Sequence, residues 1–118
     1  MTLRESPVAG PVPLYEVPGW RDRYGVVAGI TGRSEAGGVG ETMSRWRAFR
    51  RAMQGFHAVV LGNQVHGVEV MTVDAAVGWV QVEGIDGWTT SAPGMLLTVT
   101  VADCVPVYLV VPGRGIAL

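Results

Sequence analysis

The sequence lacks the features that mark several large classes of protein. It has a single cysteine, Cys104, among 118 residues, which excludes an internal disulfide and favours a reducing compartment. The formal charge is only −1, so the composition points neither to a nucleic-acid partner nor to an anionic membrane surface. The first seven residues contain no apolar run long enough for a signal peptide. We therefore predict a cytoplasmic protein.

The apolar stretch Met95–Val111 is long enough to be considered as a membrane span. Asp103, Pro106 and the alternation of threonines with branched residues oppose a membrane span. That alternation instead predicts a half-buried strand over residues 95–101. Pro106 lacks a backbone donor, so we expect strand pairing to stop near Cys104, where a side chain can face a cleft.

The rest of the chain predicts one α+β domain over residues 1–118. Residues 1–13 contain three prolines and are predicted to form an extended arm. Apolar residues recur near the 3.6 period in Glu41–Gln54, which predicts the one convincing helix, after a glycine-rich loop over residues 32–40. Elsewhere we predict a short edge strand at 14–17, a polar turn at 20–24, strands at 25–31, 58–62, 68–73, 77–82 and 85–90, and a possible tight turn at 86–87.

The final residues, Gly115–Leu118, begin an apolar strand with no cap, charge or polar tail after it. We therefore expect the chain to be a fragment that ends inside a sheet. A strand cut in this way would expose unpaired backbone groups, and we expect the isolated chain to associate through them.

Two residues have side chains suited to catalysis or metal binding. His66 lies in Gln64–Gly67, between two predicted strands, where an imidazole can bind a metal or transfer a proton; the alternative is an ordinary surface histidine. Cys104 is either an inert buried thiol or a reactive one, and reactivity would require a nearby protonated histidine or a metal. Imidazole and thiolate together suit zinc, but catalytic zinc generally has three protein ligands. His57 is a possible third ligand, unless it only opposes a helix dipole.

Arg33 and the glycine-rich loop form a further candidate site. Backbone N–H groups at the start of a helix, with an arginine beside them, suit a phosphate or another anion. The alternative is that the loop is a flexible connector.

The order of these segments resembles a known family, the YfiH-like laccase-domain proteins. The matching segments are Gln64-Val65-His66-Gly67, Asp86-Gly87 with Thr89 or Thr90, Pro93-Gly94, and Ala102-Asp103-Cys104-Val105-Pro106. The resemblance covers about residues 25–118 and implies an α+β fold of mixed β-sheets packed together with helices outside, of which only part is expected here. The sequence departs from the family pattern in two ways that bear on the assignment of Arg33 to the site. Extra residues separate Arg33 from Gly37-Gly38, and the segment before the first helix is shortened.

The resemblance also implies a function. Proteins of this family were described first as multicopper polyphenol oxidases and later as zinc-dependent purine nucleoside phosphorylases with adenosine deaminase activity. It implies adenosine, inosine and methylthioadenosine as substrates, with phosphate, and places metal ligands at His66 and Cys104. The family's third ligand, a histidine in a later H-A-G-W segment, has no counterpart here. The copper oxidase function would need several more ligands than this sequence has.

Two alternatives to a zinc phosphorylase remain open. His66 and Cys104 would also suit a nucleophilic hydrolase, in which an imidazolium activates the thiol without a metal. The chain would otherwise be a non-catalytic binding module with an incomplete site. The sequence does not indicate an oligomeric state.

Overall fold

The computed structural model describes residues 6–8, 14–31, 46–49, 51, 53, 55–101 and 103–118. The chain divides into two compact units, residues 1–54 and 55–118. The prediction of one domain over the whole chain stays a prediction.

The first unit contains a small antiparallel sheet. Its strands are β1 (Ser6–Val8), β2 (Leu14–Glu16) and β3 (Gly29–Thr31), in the order β1-β2-β3. The prediction of an edge strand at 14–17 is therefore wrong, because β2 pairs with a neighbour on each side. Its second neighbour, β1, comes from the stretch that was predicted to be an extended arm.

A short helix, α1 (Trp20–Tyr24), replaces the polar turn predicted there. Glycines in the left-handed region bound this helix, Gly19 with φ 81° and Gly25 with φ 65°, and the Gly25 N–H donates to the carbonyl of Arg21 at 3.0 Å. The Arg21 guanidinium donates two hydrogen bonds of 3.0 Å to the buried Glu16 carboxylate, which ties α1 to the end of β2.

The predicted long helix is described only in part. Residues 46–49 and 51 are helical, and the Trp46 and Phe49 rings meet edge to face with centroids 5.7 Å apart. Residues 41–45, 50, 52 and 54 of the predicted helix lie outside the described residues, as does the whole glycine-rich loop over residues 32–40, which includes Arg33. Among the described residues, no helix is long and apolar enough to cross a membrane.

The second unit is built from two sheets. Its strands are β4 (Ala58–Asn63), β5 (Val70–Thr72), β6 (Gly78–Glu83), β7 (Gly87–Thr90), β8 (Met95–Thr98), β9 (Leu109–Val111) and β10 (Gly115–Ala117). One sheet is parallel, in the order β6-β4-β8, and the other is mixed, in the order β5-β7-β10-β9. The central strand β4 is buried from Ala58 to Gly62, as expected of a parallel strand covered on both faces.

Strand β10 corrects one sequence expectation. It pairs with β7 on one side and β9 on the other, and Leu118 exchanges two backbone hydrogen bonds with Trp88. The last strand therefore does not expose the unpaired backbone groups expected of it. The edges of this sheet are β5 and β9 instead.

The two sheets pack around Trp88, which is 0% exposed. Its indole Nε1 donates to the carbonyl of Thr98, 3.1 Å away, and so joins β7 in one sheet to β8 in the other. The remaining buried residues of this core are Ala58, Val60, Ile85, Met95 and Leu97. The prediction of an α+β fold with mixed sheets packed together is confirmed.

Candidate functional site

The segments that carry His66 and Cys104 leave neighbouring strands of the parallel sheet. Strand β4 pairs with β8 in parallel, Ala58 beside Met95 and Leu61 beside Thr98. The Gln64–Gly67 loop follows β4, and the segment with Cys104 follows β8. Because parallel strands end at the same edge of a sheet, both segments start from one edge, where ligands bind in open α/β sheets.

Gln64 connects these two segments directly. Its side-chain Nε2 donates to the carbonyl of Thr100 at 2.8 Å, while its Oε1 accepts from the Thr100 N–H at 2.8 Å and the Thr100 hydroxyl at 3.0 Å. Strand β8 ends at Thr98, three residues earlier than predicted. The side-chain amide of Gln64 thus takes the place of a strand neighbour just beyond the sheet.

Asp86 holds the same loop through a different bond. Its carboxylate oxygens accept from the backbone N–H of Val65 at 3.2 and 3.4 Å. A Cβ at Gly67 would lie 3.3 Å from Asp86 Oδ2, so glycine suits this close approach. The predicted tight turn at Asp86-Gly87 is wrong: the turn is made by Gly84, with φ 76°, and Gly87 begins β7.

Both segments contain a residue in an unfavourable backbone conformation. Among the described residues, the non-glycine residues with positive φ are His66, at 57°, and Asp103, at 62°. Residues other than glycine adopt this conformation uncommonly, although Asp and His do so more often than most. It costs on the order of 1–3 kcal/mol and is found often at functional sites. The strained residues are therefore His66, a candidate ligand, and Asp103, which directly precedes the second candidate ligand, Cys104.

The side chains of His66 and Cys104 are both exposed to solvent, and Cys104 is a free thiol. The alternative interpretation of Cys104 as a small buried apolar residue is therefore wrong. Each of these side chains is therefore open to a metal ion, a substrate or a covalent reagent.

These two donors suit zinc chemically, since zinc prefers nitrogen and sulfur ligands. They do not make a complete site: the described residues contain no group of three histidine, cysteine, aspartate or glutamate side chains that would hold a metal. His57 does not supply the third donor. It precedes the first residue of β4, and a strand of six residues at about 3.3 Å each separates the two ends by about 20 Å.

A second polar network lies at the carboxyl ends of β4 and β6. The Asn63 side chain donates to the Glu83 carboxylate and accepts from Gln81 Nε2 at 2.7 Å. The sequence alone did not predict a role for these residues, nor for Gln64 and Asp86 individually. The available signal in the sequence was that two polar residues, Asn63 and Gln64, come directly after the apolar run 58–62, where polar side chains are expected at the edge of a sheet.

Comparison with known proteins identifies the chain's relatives. The profile of a family described as multi-copper polyphenol oxidoreductase laccase matches residues 35–118. A purine nucleoside phosphorylase of Streptomyces coelicolor is 37% identical over 106 residues, which is 84% of this chain and 44% of that protein. One of Streptomyces griseus is 35% identical over 121 residues, or 96% of this chain and 48% of that protein.

A purine nucleoside phosphorylase of Deinococcus radiodurans is 44% identical over a shorter stretch of 54 residues. No solved structure matches the chain. The chain spans about half the length of the two Streptomyces relatives. By the match over residues 35–118, the chain belongs to the YfiH-like laccase-domain family.

Proposed function

We propose that the natural polypeptide carrying this sequence is a purine nucleoside phosphorylase whose active site includes His66 and Cys104. The proposal rests on one observation. The segments that contain these residues follow neighbouring parallel strands at the same edge of the sheet, and hydrogen bonds between Gln64 and Thr100 join them. The names of the Streptomyces relatives support the reaction class.

The expected substrates are phosphate and a purine nucleoside such as adenosine, inosine or methylthioadenosine. In phosphorolysis, the bond between the sugar C1′ and the purine nitrogen breaks, and a phosphate oxygen forms a new bond to C1′. The purine leaves with the bonding electrons and takes up a proton. Adenosine deaminase activity would be a second reaction, in which water replaces the amino group and ammonia is released.

We propose zinc as the cofactor, bound by the Cys104 thiolate and by one ring nitrogen of neutral His66. Zinc would activate a phosphate oxygen, or a water molecule for deamination. A third ligand would come from outside the described residues. The strained backbone at His66 would direct its imidazole, and Arg33 is proposed to bind phosphate.

The test measures bound metal and purine release on the natural polypeptide. Cys104→Ser should lose zinc and phosphorolysis together, whereas His57→Gln, at the other end of β4, should retain both. If Cys104→Ser keeps its zinc but loses turnover, a nucleophilic cysteine is favoured, as in the hydrolase alternative. Full turnover by a wild-type protein free of metal would contradict the zinc proposal.

One observation favours a second candidate function, a binding module without catalysis. The described residues provide two donors of zinc's preferred kind but no group of three. A site with two protein ligands would leave metal binding weak and exchangeable. Stoichiometric nucleoside binding with no purine release by the natural polypeptide would support this candidate.

A further inference from the structure

We propose that Gln64 is a positioning residue, which holds the His66 loop and the Cys104 segment together as one unit. This inference rests on the proposed function, because it concerns the same two donors. The three hydrogen bonds between Gln64 and Thr100 span 36 positions of sequence. These bonds join the His66 loop directly to the Cys104 segment.

The chemistry of the amide explains why glutamine suits this position. A primary amide has a donor and an acceptor side by side, which match the C=O and N–H of a single residue in an extended chain. Gln64 uses both groups on Thr100 and accepts the Thr100 hydroxyl as well. Leucine has neither group, and an ionised glutamate can accept but cannot donate.

The position of Thr100 makes the connection relevant to Cys104. Thr100 lies two residues beyond the end of β8, and Asp103, with its positive φ, lies between Thr100 and Cys104. The backbone that leads from β8 to Cys104 is therefore fixed at Thr100 by Gln64. Without that anchor, the segment after β8 would be free to leave the sheet edge.

The His66 loop is held on two sides. Gln64 fixes it to Thr100, and the Asp86 carboxylate accepts the N–H of Val65, the residue between Gln64 and His66. His66 itself is exposed and keeps a strained φ of 57°. Anchors immediately before a strained residue are what is needed to maintain that conformation.

The test compares Gln64→Leu with Gln81→Leu in the natural polypeptide. Gln81 is a matched control, since it is an exposed glutamine that donates one side-chain hydrogen bond, to Asn63, beside the same sheet edge. Three quantities are measured: zinc affinity by chelator competition, the rate of iodoacetamide alkylation of Cys104 in the metal-free protein, and hydrogen exchange of the Thr100 amide.

Gln64→Leu should weaken zinc binding 10- to 100-fold, as loss of residues that orient metal ligands does, and should change the alkylation rate and speed Thr100 exchange. Gln81→Leu should leave all three unchanged. Gln64→Glu keeps the two acceptor bonds but loses the donated one, so its effect should be intermediate.

Wild-type zinc affinity together with an unchanged alkylation rate in Gln64→Leu would overturn the inference. A wild-type protein that binds no zinc would refute the proposed metal site alone. In that case the alkylation rate and Thr100 exchange would still decide the role of Gln64: a change confined to Gln64→Leu would support it, and equal values in both variants would overturn it.

Discussion

The parallel sheet has a histidine beyond each end of its central strand, and the two ends are built differently. At the amino end, the His57 N–H donates to the carbonyl of Gly94 at 3.0 Å, and the His57 carbonyl accepts from Gly78 at 2.9 Å. At the carboxyl end, the loop containing His66 is held by the side chains of Gln64 and Asp86. His57 is thus held by hydrogen bonds of its own backbone groups, whereas the loop that contains His66 is held by the side chains of two other residues.

Among the described residues, one aspartate near each end of the sheet accepts a backbone N–H group through its side chain. Asp74 Oδ1 accepts from the N–H of Ser91 at 2.8 Å and from the hydroxyls of Ser91 and Thr90 at 3.1 Å, which fixes the turn before β8. The backbone hydrogen bond from Ser91 is the main reason why the pKa of Asp74 lies below its ordinary value. Asp86 instead fixes the loop of a candidate ligand.

The largest expected effect comes from disrupting the packing of β4, the strand that separates His57 from His66. In Gly62→Ala, the new Cβ would overlap the backbone carbonyl of Ile85, which cannot move without shifting the chain that leads into β7. We expect a loss of about 3 kcal/mol in the free energy of unfolding, the upper part of the range for overpacking. Urea denaturation measures it, with Gly55→Ala as control because nothing lies within 4 Å of a Cβ there.

An unchanged urea midpoint in Gly62→Ala would contradict the packing of β4 against the chain before β7. A similar loss in Gly55→Ala would contradict it too, since that glycine has open space around it.

A smaller effect is expected from disturbing the amino end alone. In Gly94→Ala, the new Cβ would overlap the His57 ring, and alanine would have to adopt a φ of 77°. The backbone term alone should cost about 1–2 kcal/mol. Because the overlap is with a side chain, His57→Ala should relieve part of the cost, and a double-mutant cycle measures that coupling.

Additive losses in the Gly94 and His57 variants would contradict the contact between these residues. Neither substitution should affect zinc binding, because the proposed ligand His66 lies beyond the other end of β4.

The smallest effect concerns acid stability through Asp74. Because its folded pKa is lower than the ordinary 3.8, its contribution is fully present above that value and is lost as the pH falls through the folded pKa. Asp74→Asn should therefore be slightly less stable than wild type at neutral pH, with the difference shrinking below pH 3.8. Unfolding measured across this range tests it, and an Asp74 titration midpoint at or above 3.8 would contradict the prediction.

The strands were predictable because they depend on local pattern. That His66 and Cys104 share one site stays a prediction, supported by the parallel pairing of the strands that precede them. Continuous apolar residues mark β4, and alternation marks β8. Polar and catalytic residue types directly after such strands indicate one sheet edge. The strand limits were less accurate, because β8 ends where the Gln64 side chain takes over pairing with Thr100.

Other features depend on contacts that no local pattern encodes. Helix α1 has only five residues, too few for a periodic signal, and is set by the left-handed glycines at its ends. The interior position of β2 depends on β1, in a proline-containing stretch. The roles of Gln64 and Asp86 depend on partners 36 and 21 positions away in sequence.

Zinc binding by His66→Ala and by His57→Ala in the natural polypeptide distinguishes most directly between the two ends of β4. We propose that the zinc ligand lies beyond the carboxyl end. His66→Ala should therefore weaken zinc binding by at least about 100-fold, more than loss of an orienting residue does, while His57→Ala should bind as wild type does. Equal affinities in both variants, or a loss confined to His57→Ala, would contradict the proposed position of the zinc ligand.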